Sequence, residues 1–223
     1  MSSRVVIVEF PGSSADEVAD AYLRVLGIST QVVWHDTENL PACELVVIPG
    51  GSSFCDYLRP GALAKASPIA ASIRRHSRAG KVLGIGNGFQ IMCEFGIFPG
   101  ALLPNLEGKF VNQEVYVRPQ ESVLKSKPLG VIPLKFPLAC DNGCYYIEPR
   151  RLLELQEGKQ VVFTYSDKEG EALSMPPTGS QGAIAGLTLP SGNVLGVMFH
   201  PERAVENGAG GEQGREILTC LLD

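Results

Sequence analysis

The sequence predicts an α/β fold, a mostly parallel sheet with helices on both faces and a small antiparallel β addition in the C-terminal half. Three observations predict it. In the N-terminal half, short Val/Ile-rich runs alternate with helix-patterned segments, the signature of a parallel sheet. Three of those runs end in loops rich in glycine or serine, Pro11–Ser14, Pro49–Asp56 and Gly84–Gly88. Such loops fall beyond the carboxyl ends of the strands, where open α/β sheets place their sites. After Pro99, strand-patterned runs follow one another with a single short helix among them, which favours antiparallel pairing.

Taken in order, Arg4–Phe10 is a buried strand, and Ser14 or Asp16 can cap the helix after it. Val18, Ala21, Tyr22, Val25 and Leu26 keep helical spacing until Gly27 stops it. Thr30–Trp34 and Glu44–Ile48 are the second and third strands. Pro60–Ala79 reads as helix, interrupted at Ser67-Pro68, with Arg74, Arg75 and Arg78 suiting the negative end of its dipole. Lys81–Gly84 is a strand, and Phe89–Phe95 reads as helix. Beyond these, Lys109–Val117, Val131–Phe136, Cys144–Ile147, Gln160–Tyr165, Ala183–Leu189 and Val194–Phe199 read as strands, with Pro149–Leu155 and Glu212–Leu222 as helices. Gly170–Gly182, rich in Gly, Pro and Ser, is expected to be a mobile loop. With no internal repeat and no long linker, residues 1–223 are expected to form a single domain.

Bulk composition narrows the function. The chain has 223 residues, 44% hydrophobic and 19% charged, with a formal charge of −5, as in an ordinary soluble globular protein. No basic run with interleaved aromatics suggests nucleic acid, and no apolar run is long enough to span a bilayer. The N-terminus leads straight into a strand rather than a secretory signal. Six scattered cysteines, Cys43, Cys55, Cys93, Cys140, Cys144 and Cys220, then point to free thiols in the cytoplasm. Cys140 and Cys144 alone do not complete a metal site.

The chemistry concentrates in three stretches. Lys81–Gln90 is a strand, a glycine-flanked turn and a helix, the geometry of a nucleophile elbow. The turn lifts its middle residue to the sheet edge, and the helix behind it aims backbone N–H groups at that residue. Here the middle residue is Gly86, which carries no reactive side chain. The second stretch is His200-Pro201-Glu202, where an extended backbone would send the His and Glu side chains the same way. A carboxylate that fixes an imidazole's tautomer makes it a base able to take a proton from a thiol or hydroxyl. An isolated His-x-Glu would be an ordinary strand end; its company gives it meaning. The third is Val46–Gly51, whose Gly50-Gly51 pair can turn backbone N–H groups into an oxyanion hole.

Together these stretches resemble the class I (triad) glutamine amidotransferase family, where a Gly-x-Cys-x-Gly elbow, a Pro-Gly-Gly loop and a His-Pro-Glu segment share one chain. Within it the closer resemblance is to the glutaminase subunits of phosphoribosylformylglycinamidine synthases, in their small stand-alone form. It is carried nearly end to end by Phe10–Ser13, Asp56–Ala62 after Gly50-Gly51, Asn87–Ile91, Pro99–Leu103 with Asn105, Lys109–Val111, and Gly192–Glu206. Peptidases and hydratases on the same flavodoxin-like sheet fit the Asp56–Ala62 and Asn193–Glu206 strings less well. The resemblance implies a flavodoxin-like three-layer core. It implies that His200 is the base, that Glu202 orients it, and that Gly50, Gly51 and the Asn87 N–H form the oxyanion hole. Gln90 and the backbone near Phe110 and Val111 would hold glutamine. The partners implied are a formylglycinamide ribonucleotide synthetase subunit and a small accessory subunit. No cofactor is implied for this chain, ATP and Mg belonging to the synthetase.

The chain departs from that family at the nucleophile. The family has Cys where this sequence has Gly86, and without a thiolate no covalent intermediate forms. Cys93, seven residues further along the helix, is roughly 10 Å away at ~1.5 Å per residue. Cys55 would approach from the wrong segment. The family's His in a Pro-Ile-Ala-His-Gly segment is Cys140 here, and Gln113 stands where Arg is usual. Two accounts are open: an inactivated glutaminase, or a naturally degenerate, non-catalytic glutamine-binding or complex-assembly paralogue. Either way, glycine at the strained elbow position is expected to leave the fold intact.

Overall fold

A computed structural model describes residues 4–125, 132–206 and 212–222. The elements follow one another as β1 (Val5–Glu9), α1 (Ala15–Asp20), β2 (Thr30–Trp34), β3 (Leu45–Ile48), α2 (Ala70–His76), β4 (Lys81–Ile85), α3 (Asn87–Glu94) and β5 (Ala101–Leu103). Then come β6 (Val111–Pro119), β7 (Leu134–Cys140), β8 (Cys144–Tyr146), α4 (Pro149–Glu157), β9 (Val161–Ser166), β10 (Ile184–Thr188), β11 (Val194–Val197) and α5 (Gly214–Thr219). Short 3₁₀ turns link several of them.

Nine strands form one sheet in the order β2-β1-β3-β4-β11-β10-β9-β6-β7. The first five run parallel, and the 2-1-3-4-5 order of this half is that of flavodoxin-like sheets. Its inner strands are buried on both faces, as the Val/Ile-rich runs β1, β3 and β11 require, while the edge strand β2 is largely exposed. From β11 onward every pairing is antiparallel, so the expected addition continues the same sheet. α1 packs on β1 and β2, and α3 on β3, β4 and β11. Strand order reverses between β1 and β3, which brings the loops after those two strands together at a switch point.

Several expected elements differ in detail. The helix expected over Pro60–Ala79 is a 3₁₀ turn, Leu63–Ala66, followed by α2. The cause is Pro68, which holds Ser67 extended at ψ 140°. α1 starts after Ser14, whose side chain makes no capping bond, and passes into a π-helical turn over Ala21–Val25. The strand expected over Val131–Phe136 runs on to Cys140 through Pro137; β7 is the outermost strand, where a residue without an N–H is tolerated. Val131 lies outside the described residues. β5 has no signature in the sequence because its three residues are too few to show a period; it pairs with β8 in a separate two-stranded sheet. Gly170–Gly182 is irregular, with one bridge from Ala172 to Ser166. Among the described residues no helix is long and apolar enough to cross a membrane.

Candidate active site

The elbow takes shape at Gly86. β4 ends at Ile85, α3 begins at Asn87, and the residue between has φ 52° and ψ −108°. That backbone suits glycine and strains any other residue. The Gly86 N–H donates to Val197 O at 2.7 Å, and its carbonyl accepts from Phe89 and Gln90. A Cβ added to Gly86 would lie 3.2 Å from Cε1 and 3.5 Å from Nε2 of His200. The elbow therefore aims its missing side chain at the imidazole.

His200 and Glu202 are 3% and 5% exposed, and Nδ1 of the ring lies 2.6 Å from Oε1 of the carboxylate. The means differs from the expected extended strand. β11 stops at Val197, and Pro201–Arg203 is a 3₁₀ turn that folds Glu202 back onto the ring. The His200 N–H donates to Pro137 O at 2.9 Å, tying the turn to β7. Glu202 Oε2 is buried without a hydrogen-bond partner among the described residues. An unmet acceptor of this kind costs about 1–3 kcal/mol, so the carboxylate is held for its contact with the ring.

The diglycine loop is locked by the loop after β1. Ser14 N–H donates to Gly50 O and Ser52 N–H to Gly12 O, both at 2.9 Å. This Ser13–Gly51 bridge uses the flanking groups and leaves the Gly51 amide outside the pair. Gly51 has φ 104°, and a Cβ there would come within 2.6 Å of Gly12 O, so only glycine fits. A Cβ on Gly50 would come within 2.8 Å of His200 Cε1, so the loop, the elbow and the base converge.

Around them opens a cleft of about 400 Å³, lined among others by Gly51, Asn87, Gln90, Phe110 and His200. Asn87 Nδ2 donates to Gln90 Oε1 at 2.8 Å and to Asp56 Oδ1 at 3.2 Å, and its Oδ1 accepts from the Ser53 N–H. Gln90 Nε2 donates to Asn142 O at 2.7 Å, joining the elbow helix to the loop after β7. Asn105 fixes that loop, donating to Cys140 O at 2.8 Å and accepting from the Gly143 N–H at 2.9 Å. Of the residues expected to bind substrate, Gly51, Asn87, Gln90 and Phe110 line the cleft, and Gly50 and Val111 do not. Val111 pairs with Cys140 in the β6–β7 ladder and lines a neighbouring hollow with Asn105, Lys109 and Phe110.

Sequence reasoning assigns no cleft role to Asp56, Asp141, Asn142, Met198 or Arg203, all of which line it. Asp56 and Arg203 belong to the family-like strings, but nothing in a string says which way a side chain faces. Burial raises the Asp56 carboxyl above the usual carboxylate range and the Asp141 charge adds to this, while hydrogen bonds from Ser52 and Asn87 work against it. Burial also pushes the Cys140 thiol up to about 12, whereas Cys55 is exposed and outside the cleft. Alkylation at pH 8 is thus expected to mark Cys55 and spare Cys140, whose thiolate fraction there is about 10⁻⁴. Peptide mass spectrometry after brief iodoacetamide treatment reads both; comparable labelling would show that Cys140 is not sealed.

The profile of the family described as CobB/CobQ-like glutamine amidotransferase domain matches residues 2–212. A relative from Gloeobacter violaceus, "Phosphoribosylformylglycinamidine synthase subunit PurQ", is 42% identical over 98% of this chain and 97% of its own length. A protein of that name from Thermus thermophilus is 43% identical over 98% and 97%. Among solved structures, a chain of PurLQS from Thermotoga maritima superposes with a TM-score of 0.84 at 35% identity, covering 100% of this chain and 98% of that one. A second Thermotoga maritima structure, described as a glutamine amidotransferase, shares the fold, with a TM-score of 0.57 at 15% identity over 91% of this chain and 77% of that one.

Proposed function

The chain belongs to the family of CobB/CobQ-like glutamine amidotransferase domains, and from that premise we propose that it is the glutaminase subunit of a phosphoribosylformylglycinamidine synthase in purine biosynthesis, with its nucleophile position vacated. The observation that carries this reading is the elbow itself. Gly86 holds φ 52° and its absent Cβ points at His200, 3.2 Å from Cε1, while the base, its carboxylate and the diglycine loop are all in place. The relatives' shared name and near-complete coverage support the choice of synthase.

In such a reaction a thiolate attacks the side-chain amide carbon of glutamine, the C–N bond breaks, and ammonia leaves with a proton from the base. Water then hydrolyses the glutamyl thioester. This chain supplies the base in His200, the carboxylate that orients it in Glu202, and N–H donors for the oxyanion from Gly51 and the start of α3. It supplies no thiolate. Base-assisted water attack would leave turnover on the order of 10⁶-fold lower. The partners we assign are a formylglycinamide ribonucleotide synthetase subunit and a small accessory subunit; ATP and Mg act in the synthetase, and the complex works in the cytoplasm. The thioether and thiol side chains near the cleft, Met198 and Cys140, do not restore the missing step, the Cys140 thiol being held protonated.

Reconstitution tests this. Mixed with a synthetase subunit and an accessory subunit, the chain is expected to enter the complex on gel filtration and to leave ammonia-driven amination intact. Glutamine-driven amination is expected to stay at the level seen without any glutaminase subunit. Failure to enter the complex, or full glutamine-driven turnover by the chain as it stands, would overturn the reading.

A further inference from the structure

The cleft is a built site independently of its acidic residues: the side chains of Asn87, Gln90 and His200, each more than nine-tenths buried, open onto it. Nδ1 of His200 is taken by Glu202, and its Nε2 faces the elbow. These groups suit a side-chain amide and its carbonyl, but nothing among them selects the rest of the ligand. Two further residues on the wall do. Asp56 lies just past the diglycine loop, and Asp141 follows β7. Their carboxylates are close enough for the charge of Asp141 to act on Asp56. Asp56 is fixed in place by Ser52 Oγ at 2.5 Å and Asn87 Nδ2 at 3.2 Å. Asp141 is an exposed residue of the cleft wall whose carboxylate, among the described residues, enters no side-chain hydrogen bond or ion pair. The cleft's cation, Arg203, is already paired with Glu17 at 3.0 Å.

Two carboxylates facing one cleft repel each other, and a cation between them relieves the repulsion. We propose that Asp141, working beside Asp56, is the specificity-determining residue that reads the α-ammonium group of the ligand, so that the cleft takes a zwitterionic α-amino acid with a side-chain amide in preference to the same amide lacking the amine. This rests on the reading of the cleft as a glutamine site and names the half of the ligand that reading leaves open. Because Gly86 provides no nucleophile, equilibrium binding can be measured on the chain as it stands, without turnover.

The probes are L-glutamine and glutaramate, which carries the same amide and carboxylate but no amine. By calorimetry, the parent chain is expected to prefer glutamine by about tenfold or more, a margin that shrinks as salt is raised. Asp141→Asn is expected to weaken glutamine by about tenfold while shifting glutaramate by less than about twofold; Asp141→Glu, which keeps the charge, is expected to stay within about threefold of the parent for both. Thermal melts of both variants check folding. If the parent binds glutamine but Asp141→Asn changes both ligands alike, or neither, the assignment of Asp141 is wrong while the glutamine site stands. If the parent binds neither probe, the glutamine reading itself falls and takes the assignment with it.

Discussion

Gly86→Cys is expected to switch glutamine hydrolysis on, raising ammonia release by about 10⁶-fold over the parent chain. The added Cβ leaves the elbow toward His200, 3.2 Å from Cε1 and 3.5 Å from Nε2, so the thiol that follows it arrives beside the base. The new thiolate is favoured by the imidazole and by the N-terminus of α3 behind it, both of which lower a cysteine's pKa. The donors for the oxyanion are already aimed and need no reorganisation. The gain carries a conformational cost. A residue with a Cβ at φ 52° is strained by about 1–3 kcal/mol, and His200 must yield by a few tenths of an ångström. At about 2–4 °C per kcal/mol for a chain of this size, the melting temperature should fall by several degrees. Activity gained with stability lost is the signature to look for. Adding His200→Ala to the same chain should return the rate to near the parent level. An ammonia assay with the synthetase present, and mass spectrometry of the glutamyl thioester, read the two steps separately. If Gly86→Cys folds, enters the complex and still releases no ammonia above the parent, the chain is a non-catalytic paralogue and its site has drifted beyond repair by one substitution.

The parallel half of the sheet was legible because its inner strands are buried on both faces, which leaves continuous apolar runs such as Val5–Val8 and Leu45–Ile48. The glycines that end those runs located the site, since a backbone that must approach a ligand or another loop closely excludes a Cβ, as at Gly51. Legibility failed where the outcome depends on side chains distant in sequence. An extended strand would send His200 and Glu202 the same way, but the 3₁₀ turn at Pro201 is what closes them to 2.6 Å. Spacing alone does not distinguish the two routes. Asp56 follows β3 and Asp141 follows β7, far apart in the chain, and only the fold of the sheet puts both on one cleft. Val111 misses the cleft for a related reason. A resemblance fixes a neighbourhood, but the folded chain decides which neighbour reaches the ligand: Phe110, just before β6, lines both the cleft and the neighbouring hollow, and Val111 lines the hollow.

The largest loss of stability is expected at the other glycine of the elbow. Gly88 is on the first turn of α3, and a Cβ there would fall inside the Ile48 carbonyl, with Ile48 C at 2.7 Å and Ile48 Cβ at 3.1 Å. Those atoms belong to β3, so relief would require the helix to lift from the sheet. From the opposite side, a Cβ on Gly84 of β4 would meet Gly88 C and O at 3.0 Å, so two glycines set how closely helix and sheet approach. Gly88→Ala gains about 1 kcal/mol of helix propensity, and overpacking against fixed backbone outweighs it for a net loss of about 3 kcal/mol. The melting temperature should drop by about 6–12 °C. Gly96, just past the C-terminal end of the same helix, provides the comparison. It has φ 69°, and a Cβ added there would meet nothing within 4 Å, so Gly96→Ala is subject to backbone strain alone, about 1 kcal/mol. Because Asn87 and Gln90 ride on the lifted turn, Gly88→Ala should also weaken glutamine binding, and Gly96→Ala should not. Equal melting temperatures for the two variants would mean that strain, rather than the contact with β3, sets the cost, and that the elbow's height above the sheet is not held by Gly88.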